Sequence, residues 1–269
     1  MPTNKLATAV STVAVSHHTD HELEAMMTKL HMSGMKREYQ SAMSNPEFAN
    51  LSFNDQLFEI LNAEVEKREL SSYERRRRKA QLLSDANTAV IIERLGDYKL
   101  TSNRLDRMMS LRWMNDDHII LITGATGVGK TDLGSAICDS ALRAHKKVSC
   151  EPYDLFIMSL CDFYLHGKRD EYQAVLRKYL NYDVLMLDDV CTGLQRDGEA
   201  LVFKDLLEKT KELHIGLILT SQSPLPDWHA HLGGDLNADA VLDRIKGRAE
   251  LTELTGDSRR VLKEVTDER

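Results

Sequence analysis

Eight consecutive residues after an apolar run, residues 119–122, have the spacing of a phosphate-binding loop. They are Gly124, Ala125, Thr126, Gly127, Val128, Gly129, Lys130 and Thr131. In such a loop glycines let backbone N–H groups curl around phosphate oxygens, a lysine reaches the β and γ phosphates, and a hydroxyl ligates Mg²⁺. A helical pattern follows, and its N-terminal dipole favours the same anion. The sequence therefore predicts a site for ATP and Mg²⁺.

Two carboxylates, Asp188 and Asp189, directly follow a second apolar run, residues 184–187. Acidic side chains at a strand end beside a phosphate loop hold Mg²⁺ and orient or deprotonate the attacking water. We expect Asp188 to take the first role and Asp189 the second. The alternative is that the pair only caps a turn.

A third apolar run, residues 217–219, ends in Thr220, Ser221 and Gln222. A polar side chain at that strand end would lie between the first two strands and could reach the γ phosphate or the water. We predict that Gln222 has this catalytic role. A polar strand end that makes only local turn hydrogen bonds is the alternative.

Four short apolar runs, residues 119–123, 147–150, 184–187 and 215–220, alternate with helical patterns. This alternation is typical of a parallel sheet buried on both faces, with its ligand at the carboxyl ends of the strands. No strand-like alternation precedes residue 118, and helical spacing predicts separate helices from about residues 23, 52 and 72. The predicted organisation is a flexible tail (1–18), a helical DNA- or partner-binding domain (19–115) and an α/β three-layer ATPase domain (116–269).

The net charge of −7 argues by itself against a nucleic-acid binder, but the charge is uneven. Residues 1–115 carry a net charge of +1 and residues 116–269 carry −8. No apolar stretch is long enough for a bilayer and the N-terminus does not resemble a signal peptide, so we expect a cytoplasmic protein without a membrane partner. The four cysteines have no paired spacing and predict reduced thiols. His229 and His231 form a His-x-His pair without a third ligand nearby in the sequence.

A basic cluster lies on the third predicted helix. Helical geometry allows three of its side chains to share one side, and two further basic residues lie upstream; the five are Lys67, Arg68, Arg75, Arg78 and Lys79. Contact with DNA phosphates is the functional interpretation. Neighbouring glutamates support the alternative of an ion-paired, solvated helix.

Residues of about 20 to 262 resemble the IstB family of AAA+ ATPases, transposition helpers of an insertion-sequence class that are related to the helicase loader DnaC. The resemblance lies in the loop and strand ends described above and in two more specific stretches, residues 227–244 and 256–260. It implies a P-loop AAA+ fold after a small helical domain.

This resemblance also implies roles for two arginines and a set of partners. Arg244 would be an arginine finger acting on ATP held by a neighbouring subunit, and Arg260 would be the sensor arginine. The protein would form homo-oligomers on duplex DNA and assist a transposase in target selection. Relatives often have Glu at the position of Asp189, so we expect slow hydrolysis that serves as an assembly switch.

Two other functions stay open at this point. A replicative helicase loader of the DnaC type would share every ATPase residue and would differ in its partner. A small-molecule phosphotransferase would use the same phosphate loop without oligomers or DNA, but the sequence shows no acceptor site for it.

Overall fold

The computed structural model describes residues 18–98, 100–116 and 118–256. The predicted tail therefore lies outside the described residues except for His18, and Arg260 lies outside them as well. Contacts divide the chain into two compact units between Ser72 and Tyr73. Across the described residues, no helix combines the length and the apolar character that crossing a bilayer requires.

The first unit is helical and has a small core of its own. It contains α1 (Asp20–Lys29), α2 (Ser33–Met43) and the first part of α3 (Phe53–Ala80). The helix α1 begins with a capping box, in which Thr19 accepts from the Glu22 N–H and the Glu22 side chain accepts from the Thr19 N–H. The buried core consists of Met27, Tyr39, Ala42, Phe48 and Ile60.

The second unit is built on five parallel strands in the order β2-β3-β4-β1-β5. The strands are β1 (Ile119–Gly124), β2 (Val148–Pro152), β3 (Val184–Asp188), β4 (Gly216–Ser221) and β5 (Ala249–Leu254). The four predicted strands are confirmed. The fifth was not predicted, because it has neither an apolar run nor a regular apolar face: Thr252 and Leu254 are buried, whereas Leu251 is exposed.

Helices cover both faces of this sheet, which makes the unit a three-layer α/β domain. Successive residues of a strand point to opposite faces. Accordingly Ile119 and Leu121 belong to one buried cluster and Ile120 and Ile122 to the other. The remaining helices are α4 (Thr88–Glu93), α5 (Leu95–Tyr98), α6 (Ser102–Met109), α7 (Lys130–Arg143), α8 (Tyr153–Leu165), α9 (Arg169–Tyr179), α10 (Glu199–Glu212), α11 (Trp228–His231) and α12 (Leu236–Lys246).

The segment before β1 packs on one face of the sheet. Ile91, Met108 and Trp113 are fully buried in the same cluster as Ile120 and Ile122. The compact unit that holds the sheet thus begins at Tyr73, whereas the sequence analysis placed the start of the ATPase domain at residue 116. In addition, α3 is one continuous helix of 28 residues, where two helices were predicted.

Candidate nucleotide site

The glycines of the loop between β1 and α7 are required by its backbone path. Gly124, Gly127 and Gly129 have positive φ angles of 148°, 83° and 102°. A Cβ on Gly124 would collide with the carbonyl oxygen of Leu254, and a Cβ on Gly129 would lie 2.7 Å from the Tyr98 hydroxyl. Glycine alone combines this conformation with such close approach of its neighbours.

Lys130 is the first residue of α7, and its side chain folds back over the loop. Its Nζ donates to the carbonyl oxygens of Gly124 and Ala125 at 2.9 and 3.0 Å. The residue is only 5% exposed. An ammonium group held across the loop at a helix N-terminus places positive potential where phosphate oxygens would bind.

Asp188, at the end of β3, accepts hydrogen bonds from two hydroxyls. Thr131 Oγ1 lies 3.0 Å from both carboxylate oxygens, and Thr220 Oγ1 donates to Oδ1 at 2.5 Å. Burial raises the pKa of Asp188 above its ordinary value, although both threonine hydrogen bonds act in the opposite direction. These carboxylate and hydroxyl oxygens are the hard donors that Mg²⁺ prefers, so the residues present fit that ion.

Thr220 links the Asp188 carboxylate to the backbone of Asp189, and the sequence analysis did not single it out. Leu187 pairs with Leu219 in the sheet, so Thr220 comes level with Asp188 at the next position. The same hydroxyl that donates to Asp188 accepts from the Asp189 N–H at 2.9 Å. Asp189 itself adopts a left-handed conformation with φ of 58°, which turns the chain sharply at this point.

Gln222 lies between Asp189 and the phosphate loop. Its Nε2 donates to Asp189 Oδ1 at 3.3 Å, and its Oε1 accepts from Thr126 Oγ1 at 2.6 Å. These residues border an open cavity of about 220 Å³. The cavity is lined by Thr126, Gly127, Gly129, Lys130, Thr131, Asp132, Asp189 and Gln222. The structure thus brings together three segments that are distant in the sequence.

Arg244 does not line this cavity. It lies on α12, where its guanidinium pairs with Glu208 of α10 and donates to the Ala240 carbonyl at 2.9 Å. About a third of its side chain is exposed. A role for Arg244 at the ATP bound by its own chain therefore has no support in the geometry.

The basic residues of α3 fall into two groups. Arg75, Arg78 and Lys79 are exposed. Arg76 Nε donates to the Leu142 carbonyl at 3.1 Å, and Arg77 pairs with Asp85 and Asp139. The upstream residues also have partners within the first unit, since Lys67 donates to Ser33 and Arg68 pairs with Glu64.

Comparison with known protein families identifies the family of this chain. The model of the IstB-like ATP-binding proteins matches residues 25–266. The chain belongs to this family. As an IstB-like protein with the phosphate loop described above, it is an ATP-binding protein.

Relatives of this IstB-like chain come from mobile elements. An insertion-sequence ATP-binding protein of Sinorhizobium fredii is 28% identical over 246 residues, which cover 91% of this chain and 96% of the relative. The IS21 ATP-binding protein of Pseudomonas aeruginosa is 27% identical, with 90% and 89% coverage. The crystal structure of the DnaC helicase loader superposes with a TM-score of 0.46 and 18% identity, and covers 66% of this chain and 97% of that one.

Proposed function

We propose that this protein is an ATP-dependent, DNA-binding transposition helper that oligomerises on duplex DNA and assists a transposase in target selection. The observation that carries the proposal is the convergence of Lys130, Thr131, Asp189 and Gln222 at one cavity, with Asp188 hydrogen-bonded to Thr131. The insertion-sequence relatives, matched over about nine tenths of their length, support the transposition context. They favour it over the helicase-loader alternative.

In this proposal the loop amides and Lys130 bind the β and γ phosphates of ATP, with residues 124–131 enclosing them. Thr131 and Asp188 hold Mg²⁺, which neutralises charge on the phosphates when it is bound. Thr220 keeps the Asp188 carboxylate in place through its 2.5 Å hydrogen bond.

Asp189 orients the attacking water and accepts its proton, and Gln222 positions that carboxylate against the loop. Both of these side chains border the cavity where the γ phosphate would lie. The carboxylate of Asp189 is one methylene shorter than that of glutamate, so hydrolysis is slow and ATP works as an assembly switch. Arg244 completes the site of the adjacent subunit, and Arg260 acts as the sensor.

Duplex DNA contacts Arg75, Arg78 and Lys79. These cations are exposed on α3, whereas the neighbouring Arg76 and Arg77 are held by protein groups. Contacts of this kind neutralise phosphates and do not distinguish bases, so the binding is strongly dependent on salt and weakly dependent on sequence. Lys67 and Arg68, which lie upstream on the same helix, are held by Ser33 and Glu64, so their predicted contribution to DNA binding stays a prediction.

Electron microscopy of the purified protein with duplex DNA and a non-hydrolysable ATP analogue tests the proposal. We expect rings or filaments on the DNA that need the nucleotide. The Lys130→Ala variant should form none, because its loop lacks the cation for the β and γ phosphates. A protein that stays monomeric and does not bind DNA at saturating nucleotide would contradict the proposal and would favour the phosphotransferase alternative.

The triple variant Arg75→Ala, Arg78→Ala, Lys79→Ala tests the DNA surface separately. It should still bind ATP, while its DNA affinity falls and the log–log salt slope decreases by up to about 0.9 for each phosphate that the variant no longer neutralises. The matched control is Lys168→Ala, which removes a cation from the loop before α9. An unchanged slope in the triple variant would place the DNA-binding surface elsewhere on the molecule.

A further inference from the structure

Three side chains of metal-binding type converge outside the nucleotide cavity. Cys191 follows β3 by three residues, Glu199 is the first residue of α10, and His231 is the last residue of α11. Their ligand atoms all lie within 4.8 Å of one another. His231 belongs to the His-x-His pair noted in the sequence, and the fold supplies the two ligands that the sequence did not show.

The carboxylate of Glu199 is almost completely buried and is held in a fixed orientation. It is 1% exposed, its Oε1 accepts from the Tyr153 hydroxyl at 2.9 Å, and its Oε2 accepts from the Arg196 N–H at 3.0 Å. Supporting hydrogen bonds of this kind orient the ligands of protein metal sites. Tyr153 is itself fully buried, so it cannot turn away to solvent.

A buried carboxylate requires a compensating positive charge or its equivalent. The nearby Arg196 guanidinium instead pairs with Asp154 at 2.9 Å. Among the described residues, the group within 4 Å of Glu199 that can carry a positive charge is His231, whose Nε2 lies 3.6 Å away. A bound cation would supply this charge while His231 stays neutral.

We propose that Cys191, Glu199 and His231 bind a thiophilic divalent cation of the Zn²⁺ class. A thiolate, an imidazole nitrogen and a carboxylate oxygen form a donor set that suits Zn²⁺ and Co²⁺ and does not suit Mg²⁺. Three protein ligands leave one position of a tetrahedron for water. The cation and its water would enter beside His231, because the His231 side chain is 17% exposed while Cys191 and Glu199 are buried.

Binding replaces the thiol proton of Cys191 with a metal–sulfur bond, and that proton is released to solvent. His229 takes no part, since it pairs with Asp239 at 3.2 Å. The cation would tie the chain just after Asp189 to α10 and α11. It would therefore stabilise the segment that follows the proposed catalytic carboxylate without entering the nucleotide cavity.

Titration of the full-length, chelator-treated protein with Co²⁺ in the absence of nucleotide tests the site. We expect one equivalent to bind with the near-ultraviolet absorption of a cobalt–thiolate bond, and Zn²⁺ to displace it. Cys191→Ser and His231→Ala should abolish that absorption. The matched controls Cys150→Ser and His229→Ala, which change a buried thiol and a histidine outside the cluster, should retain it.

Tyr153→Phe keeps the buried ring and removes only the hydrogen bond to Glu199, so it should weaken Co²⁺ binding by about tenfold. Wild-type protein without the thiolate absorption, or absorption that survives Cys191→Ser, would overturn the proposal. If Cys191→Ser does not fold, His231→Gln provides the same test. An unchanged cobalt spectrum in the folded His231→Gln variant would also overturn the proposal.

Discussion

The position of Asp188 suits a bound cation but disfavours the charged carboxylate in the ligand-free protein. The carboxylate of Asp188 is partly withdrawn from water, and the resulting rise in its pKa means that ionisation is disfavoured in the folded state. The hydroxyls of Thr131 and Thr220 offset only part of this effect. A cation bound at the carboxylate would favour the ionised form instead.

Asp188→Asn should therefore raise the stability of the nucleotide-free protein at neutral pH. A raised pKa gives a contribution to stability that is complete below the unfolded pKa and is lost as pH rises through the folded pKa. The gain over wild type should hence be present at pH 7 and disappear in acid. Thermal unfolding across this range measures it, and a gain of about 1 kcal/mol corresponds to roughly 2–4 °C.

The same variant should lose the Mg²⁺-dependent part of ATP binding, because an amide is a poorer ligand than a carboxylate. Calorimetry with and without Mg²⁺ provides this second readout. A variant that is less stable than wild type at pH 7, with a deficit that does not change with pH, would show that the Asp188 carboxylate stabilises the free protein.

At the scale of elements, Glu64 of α3 supplies the N-terminal cap that α2 lacks in its own sequence. The N-cap residue Met32 makes no side-chain hydrogen bond, but Glu64 Oε2 accepts from the backbone N–H groups of Gly34 and Met35 at 2.7 and 3.2 Å. Burial alone would raise the pKa of Glu64, yet hydrogen bonds from Arg68 and these two amides lower it below its ordinary value. Gly34 is required here, since a Cβ would lie 2.7 Å from the Ala63 carbonyl oxygen.

Glu64→Gln should destabilise the first unit by about 1–2 kcal/mol, since a charged cap at a helix N-terminus is replaced by a neutral one. Amide hydrogen exchange at Gly34 and Met35 should become roughly 5- to 30-fold faster. In wild type this stabilisation is present above the unfolded pKa and is lost as pH falls through the lowered folded pKa. Glu66→Gln, an exposed change on the same helix, is the control and should leave both rates unchanged.

Elements that a contiguous sequence pattern encodes could be predicted from the sequence. Elements that depend on contacts with distant segments of the chain could not. The phosphate loop and the strand ending at Asp188 are each one contiguous pattern. The edge strand β5 has only a partly apolar face, so its pairing with β1 is what makes it a strand. Thr220 and the Cys191 cluster escaped prediction for a similar reason: their partners come from other segments and meet only in the folded sheet.

At the scale of the whole molecule, the charge bears on how DNA approaches, and the position of Arg244 bears on the proposed assembly. Residues 116–269 carry a net charge of −8, so a polyanion can approach only through local groups of cations such as those on α3. Arg244 lies away from the cavity of its own chain, beside Glu208. In the proposed oligomer it is released from that pairing and reaches the ATP of the next subunit.

Mixing two inactive variants tests this sharing of sites. An Arg244→Ala chain retains its own loop, Asp188 and Asp189, whereas an Asp189→Asn chain retains its arginine. Some mixed interfaces therefore pair an intact loop from the first chain with an intact arginine from the second. In an equimolar mixture, about a quarter of randomly formed interfaces should recover ATPase activity. An arginine that acts within its own chain could not be rescued in this way.

The control is Lys246→Ala, an exposed cation two residues further along α12, which should be active alone. A chain that carries both Arg244→Ala and Asp189→Asn should fail to rescue the Arg244→Ala chain, since neither supplies an arginine. Recovered turnover that is greatest near equal proportions of the two chains and falls towards either pure chain, in preparations whose co-assembly is shown by light scattering, would establish that Arg244 acts between subunits. Co-assembly without any recovered turnover would refute it, because every mixture then contains interfaces in which all the proposed groups are present.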